Sequence, residues 1–399
     1  MTSSKIETAS ARSSTKLPIG SLLALAAAGF LTAMLETLPA GILPALGADL
    51  GVSEAAAGQT ITLYAIGSIA GAIPIISATM GWPRRRLLVL ALTGYLISSL
   101  LVAVSPHYAL TLGIRFVTGI FAGVLWGILA GYASRLVSPE QRGRGVTIAL
   151  AGTPIALAVG TPAGALLSNL IGWRLTFVVM AVLSAAVLLW VLAIVPDFPG
   201  QEKHARSSVL KTLALPGIAP IIITSVLYVT AHILLYTYIA AFLSPLGMAG
   251  SVGGVLLVFG TSALLGLWGT GILIDRHLRR LMLSSVVLFA ASMLTLGLLS
   301  ETPLLVFASV VAWGIAFGAS GSLQQTALTN AAGFAVDTAQ SVLVTGWNLG
   351  IAAGGILGGL TLAGLGSKAL PWATLVLLLP ALLVVVTGRR HAFPAGRQY

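Results

Sequence analysis

The sequence predicts an all-α membrane protein, with twelve transmembrane helices in two six-helix halves. Hydrophobic residues make up 57% of the 399 residues and charged residues only 8%. The mean hydropathy is +1.02, which no soluble domain of this length sustains. The apolar residues fall into twelve long stretches, and a helix needs about 20 such residues to cross the hydrocarbon core. The longest polar break, Pro196–Leu213, follows the sixth stretch and divides the chain six and six.

Along the chain, residues 1–17 are polar and rich in Ser and Thr. They lack the apolar core and small-residue cleavage site of a secretory signal, and they read as a disordered cytoplasmic tail. The first half, 18–195, is expected to hold spans at 18–45, 54–79, 86–104, 108–134, 146–170 and 175–195. A cytoplasmic linker, 196–213, follows. The second half, 214–388, is expected to hold spans at 216–243, 252–274, 281–300, 304–328, 338–364 and 371–388, before a cytoplasmic tail at 389–399.

The basic residues fix the orientation. Eighteen of the 21 Lys and Arg lie in the two tails and in the breaks after spans 2, 4, 6 and 8, all on one side if the spans alternate. By the positive-inside rule that side is the cytoplasm, in a bacterial inner membrane, with both termini there. The net charge of +11 therefore reads as topology and attraction to anionic membrane lipids, not as nucleic-acid binding.

Composition also excludes chemistry. There is no cysteine, hence no thiolate nucleophile and no Cys-held metal. The five histidines show no metal-ligand spacing, and no phosphate-binding GxxxxGK[ST] loop occurs. No cofactor, metal or enzymatic activity is expected. The 46 glycines suit close helix approach in a membrane bundle.

Charge at membrane depth is rare, and it points to function. Glu36 is the sole acidic residue well inside a span, and Arg115 the sole basic one. Both lie about 7–10 residues from the same membrane face, so they can share a cavity or pair through water. A lone carboxylate there can load a proton on one side and release it on the other. Either residue could instead be structural, satisfied by neighbouring helices. His232 and Tyr236 share one face of span 7, with Tyr228 on the same stripe. Trp313 and Phe317 are four apart on span 10, and Gln324 lies seven further on. With Gln59, Tyr64 and Asn348 these are candidate substrate contacts, and helix packing is the alternative for each. Spans 3, 6, 9 and 12 carry no charged or amide side chain and can face lipid.

The halves echo each other. The break after span 8, Gly271-Ile-Leu-Ile-Asp275-Arg276-His-Leu-Arg279-Arg280-Leu281, aligns at a constant offset with Ser77-Ala-Thr-Met-Gly81-Trp-Pro-Arg84-Arg85-Arg86-Leu87 after span 2. Repeated halves are typical of secondary transporters with a midplane site. The G-x-x-x-D-R-x-x-R-R pattern at Gly271–Arg280 resembles the loop signature of the major facilitator superfamily. Arg115-Phe-Val-Thr-Gly119 resembles the span-4 motif of its proton-coupled exporters. Gly152 through Gly160-Thr-Pro162-Ala-Gly164 is similar to their Gly/Pro antiporter motif in span 5. Glu36-Thr-Leu-Pro-Ala-Gly41-Ile-Leu-Pro44, Tyr236-Thr-Tyr238 and Trp347-Asn348-Leu-Gly350 look like the twelve-span drug, sugar and nucleoside efflux permeases. The resemblance covers residues 18–388.

That resemblance implies a cavity lined by spans 1, 4, 7 and 10 and a conformational latch at Asp275, Arg276 and Arg280, facing the start of span 5. Gly81 stands where a first-half acid is usual. The expected function is proton-coupled antiport, exporting a small polar or amphipathic solute such as a sugar, nucleoside or drug, by a monomer. The partners are that solute, protons and lipids. Uptake by symport or facilitation remains open, as does a non-transporting sensor.

Overall fold

The computed structural model describes residues 17–75, 78, 79, 81–138, 141–199 and 209–393. Expectations for residues 1–16, for the half of the 196–213 linker over 200–208 with Lys203 and Arg206, and for Arg397 fall outside the described residues. Eleven helices among those described are long and apolar enough to cross a membrane. They are span 1 (Ile19–Gly41), span 3 (Arg84–Val104), span 4 (Tyr108–Arg135), span 5 (Arg144–Ile171), span 6 (Trp173–Ile194), span 7 (Ile218–Thr237), span 8 (Ala249–Ile274), span 9 (Arg276–Leu299), span 10 (Pro303–Ala332), span 11 (Thr338–Leu365) and span 12 (Ser367–Thr387). Span 2 completes the twelve. It is α-helical over Glu54–Ala70, 17 residues, and runs on through a π-helical turn at Gly71–Ile75.

Proline chemistry explains that turn. Pro74 has no N–H, so the carbonyl of Ala70 loses its usual donor and the ladder re-registers by one residue. Span 5 repeats the device. A π turn at Ala156–Gly160 interrupts it just before Pro162. Spans 8 and 9 differ from expectation in the opposite sense. No loop separates them; the helix runs from Val252 to Leu299 with one non-helical residue, His277 (φ −135°, ψ 25°). Span 7 is shorter than expected. It stops at Thr237, Tyr238 leaves helical geometry, and a short helix Ile239–Leu243 follows.

An even number of spans brings Leu17 and Phe393 to one end of the bundle, here the tail end. The opposite end is the far end, where Gly51 at φ +65° and Ser53 start span 2, with Ser53 Oγ accepting from Ala56 N at 3.2 Å. Spans 1 and 7 are the most enclosed, two-thirds buried each, and spans 6 and 12 are only one-third buried. Span 3 departs from the lipid-facing role expected of it. More than half of it is buried, because Leu87, Leu88, Ala91 and Leu92 pack inward against spans 4 and 6. Spans 2 and 4 meet backbone to backbone. A Cβ added at Gly119 or Gly123 would strike the carbonyl of Tyr64 or Ser68, the close approach that small residues permit in membranes.

The sequence echo between halves is also structural. Gly81 and Asp275 are 194 residues apart, as are Arg85 and Arg279. Arg279 donates through Nη1 and Nη2 to the carbonyls of Val385 and Val386, each at 3.0 Å, at the end of span 12. Arg85 donates to the carbonyls of Val191 and Leu192 at the end of span 6. Those acceptors obey the same offset of 194. In each half one arginine donates to carbonyls at the end of the last helix, where a positive charge suits the dipole.

Candidate functional site

The first half builds a polar core around Arg115, which is 1% exposed. Its Nη1 donates to the Leu35 carbonyl of span 1 at 2.6 Å and its Nε to the Thr60 carbonyl of span 2 at 3.2 Å. The Leu35 carbonyl is available because Pro39, four residues on, has no N–H to give it. The guanidinium lies over the Tyr64 ring, 4.6 Å from its centroid. Its third nitrogen, Nη2, is buried without a partner. Tyr64 Oη donates to the Thr32 carbonyl at 2.9 Å, and Tyr95 Oη donates to Thr32 Oγ1 at 3.0 Å. Spans 1 to 4 are thereby tied together through polar groups.

Glu36 follows Leu35 and is partly accessible within this core. Arg115, Tyr64 and Tyr95 are near enough for its charge to act on them. It forms no ion pair with Arg115. The ion pair among the described residues is instead Arg174 with Asp49, 2.8 Å apart at the far end. Glu36 and Arg115 thus belong to the same polar core without a direct ion pair between them.

The second half presents an aromatic cluster. His232 stacks on Phe317 with centroids 3.6 Å apart and planes at 20°. It also meets Tyr236 at 4.9 Å, Phe259 at 5.4 Å and Trp313 at 5.4 Å. Phe289 of span 9 stacks on Trp313 at 5.9 Å. Four polar atoms in and beside this cluster are buried and unpartnered: His232 Nδ1, Tyr236 Oη, Trp313 Nε1 and Gln324 Nε2. Buried polar atoms are normally satisfied, so their number here marks a place suited to a polar guest. The other end of the Gln324 amide is engaged, its Oε1 accepting from Trp347 Nε1 at 3.0 Å.

The remaining candidates divide. Gln59 and Tyr64 are joined to other spans. Asn348 is spent on its own helix, donating to the Val344 carbonyl at 3.0 Å. Asp275 lies in the helix just before the His277 kink, and its side chain is outside the described residues. Arg276 and Arg280 are exposed. Phe259 and Phe289 were not expected. Span 9 in particular, with no charged or amide residue beyond Arg280, gave no polar signal at the depth of Phe289.

A third arrangement closes the far end. Tyr238, at the break after span 7, reaches across to span 2 and span 11. Its Oη donates to the Gly355 carbonyl at 2.9 Å, and Gln59 Nε2 donates to Tyr238 Oη at 3.3 Å and to the Gly355 carbonyl at 3.2 Å. The ring is seated among Gly58, Gly358 and Gly359, where an added Cβ would collide with it. Span 8 meets span 5 similarly at Gly260 against Ala158 and Gly253 against Leu166. These contacts between halves run from mid-span to the far end.

Twelve spans in two halves around a buried polar core describe a membrane transporter. The chain belongs to the Major Facilitator Superfamily, whose family model matches residues 25–335. It is 30% identical over 355 residues to a chloramphenicol efflux pump of Mycobacterium tuberculosis (strain CDC 1551 / Oshkosh), covering 84% of each chain. It is 27% identical over 354 residues to a purine ribonucleoside efflux pump of Escherichia coli (strain K12), covering 88% of this chain and 89% of the relative. Two solved structures share the fold at 15% identity, each covering 94% of this chain and 98% of the other. They are a D-xylose–proton symporter, with a TM-score of 0.76, and a bacterial homologue of the human lysosomal transporter Spinster in an inward-facing, unoccupied conformation, with a TM-score of 0.72.

Proposed function

We propose that the protein is a proton-coupled antiporter that exports a small, ring-bearing amphipathic solute by alternating access. The observation that carries this reading is the division of labour between the halves. One half holds a carboxylate and a guanidinium at depth. The other holds stacked rings with unpartnered donors and acceptors. Glu36 takes a proton when the far end is open and releases it when the tail end is open. Arg115, with one guanidinium nitrogen unused, responds to the charge on Glu36. His232, Tyr236, Phe259, Trp313 and Phe317 stack the solute, and Tyr236 Oη and Gln324 Nε2 bond its polar edge. Two relatives named as efflux pumps, one for chloramphenicol and one for purine ribonucleosides, support this class of solute. The basic breaks support a tail end on the cytoplasmic side of a bacterial inner membrane.

The test is flux in proteoliposomes preloaded with labelled inosine or chloramphenicol. An acid pulse outside is expected to accelerate efflux of at least one of them in the wild type. Glu36→Gln is expected to abolish that acceleration and leave solute binding measurable, because the amide keeps the shape and cannot carry the proton. Efflux that follows the pH gradient equally well in Glu36→Gln would remove this residue from the coupling mechanism.

A further inference from the structure

The start of span 7 and the end of span 12 line an open cavity of about 600 Å³ at the tail end. Its walls include Pro220, Ile223 and Val384 on the apolar side, and Arg389, Arg390 and His391 on the other. Among the described residues, no acidic side chain lines it. The basic side chains are exposed, but the backbone that carries them is fixed. The amides of Ala392 and Phe393 donate to the Gly388 carbonyl at 3.1 and 2.9 Å. Phe393 is fully buried, and its carbonyl accepts from Arg279 Nη1 at 3.0 Å. Gly217, at φ +91°, sits directly under this turn; a Cβ there would lie 2.5 Å from the His391 carbonyl oxygen.

The backbone that carries the cationic rim is thus ordered by the fold, and only its side chains remain to be fixed on binding. It lies at the ends of two spans, the level at which lipid headgroups sit. Below the rim, Ile223, Leu383 and Val386 are about half exposed or more, at 48%, 62% and 47%. A rim of positive charge above an exposed apolar strip matches one kind of molecule, with an anionic head and apolar chains.

We propose that this cavity binds the phosphate headgroup of an anionic phospholipid, with its acyl chains along Ile223 and Leu383. The test uses full-length protein in phosphatidylcholine micelles with rising fractions of phosphatidylglycerol, read as the unfolding temperature. The wild type is expected to be stabilised by phosphatidylglycerol, with no matching rise from phosphatidylcholine alone or from inorganic phosphate. Arg389 and Arg390 make no bond within the described protein, so Arg389→Gln/Arg390→Gln is expected to fold. It should need roughly thirty-fold more phosphatidylglycerol for the same rise, the loss expected for two basic side chains at an anionic surface. Arg144→Gln, also an exposed basic residue at the tail end, should titrate like the wild type. An unshifted titration in the double variant, or an equal shift in Arg144→Gln, overturns the site. A full rise with inorganic phosphate alone overturns its assignment to lipid.

Discussion

Pro39 and Arg115 lie on different spans and complete one hydrogen bond between them. The proline withholds an N–H from the Leu35 carbonyl, and the arginine supplies one at 2.6 Å. Removing the donor leaves a buried carbonyl unpaired, at a cost of about 1–3 kcal/mol. Arg115→Ala is therefore expected to lower the unfolding temperature and to abolish proton-driven efflux. Arg115→Lys keeps the charge but loses the fork and the flat face over Tyr64, so it should rescue only part of each. Pro39→Ala restores a backbone N–H where Leu35 needs one. The double variant Pro39→Ala/Arg115→Ala is then expected to regain stability relative to Arg115→Ala while remaining unable to couple. If it unfolds no later than the single variant, the shared-carbonyl account fails. Of this core, Glu36 and Arg115 were legible in the sequence because they are the charges at depth. Their carbonyl partners and the absence of a direct pair were not, since those depend on how four helices cross. Asn348 shows the reverse, a polar residue at a suggestive depth that bonds its own helix.

Among the elements, the π turns of spans 2 and 5 follow from the N–H groups that Pro74 and Pro162 lack, and neither turn was expected. The break at Tyr238 has no such proline. Tyr-Ile-Ala-Ala-Phe continues the apolar run without Gly or Pro, and only the glycine seat on spans 2 and 11 pulls the residue out of helical geometry. That seat should control the far end. Gly58→Ala places a methyl against the Tyr238 ring, and Gly358→Ala places one 2.6 Å from Tyr238 Cε2, closer than real contacts allow. Neither glycine has a positive φ, so the helices themselves tolerate alanine. Each variant is expected to shift the population toward an open far end. Because the chain lacks cysteine, spin labels can be attached singly at Ala48 and Ala249, both exposed at that end. A longer distance between them in Gly58→Ala than in the wild type is the expected result. An unchanged distance distribution would mean that Tyr238 packs at the closure without controlling it.

Across the whole molecule, the two halves share the arginine that holds the end of their last span and differ in the acid of the loop before it. Arg85 and Arg279 donate there to carbonyls at the same offset, so the repeat visible in two basic breaks extends to three-dimensional roles. Four residues before each arginine the repeat fails, with Asp275 in the second half and Gly81 in the first. A carboxylate near a helix start is favoured by the exposed N–H groups and the dipole, by about 0.3–2 kcal/mol depending on burial. An energy of that size matters here because transport states differ by only a few kcal/mol. One half thus has a candidate brace for the closed tail end, and the other has none. Gly81 can accept the missing group, since nothing lies within 4 Å of a Cβ built there and its φ is not positive. Gly81→Asp is therefore expected to leave the unfolding temperature nearly unchanged and to move the population toward a closed tail end. Asp275→Asn should move it the other way and slow efflux without loss of solute binding. Label pairs spanning the two halves at the tail end measure both shifts in one experiment. If the two substitutions move the distances in the same direction, or not at all, the acid in this loop serves membrane topology alone.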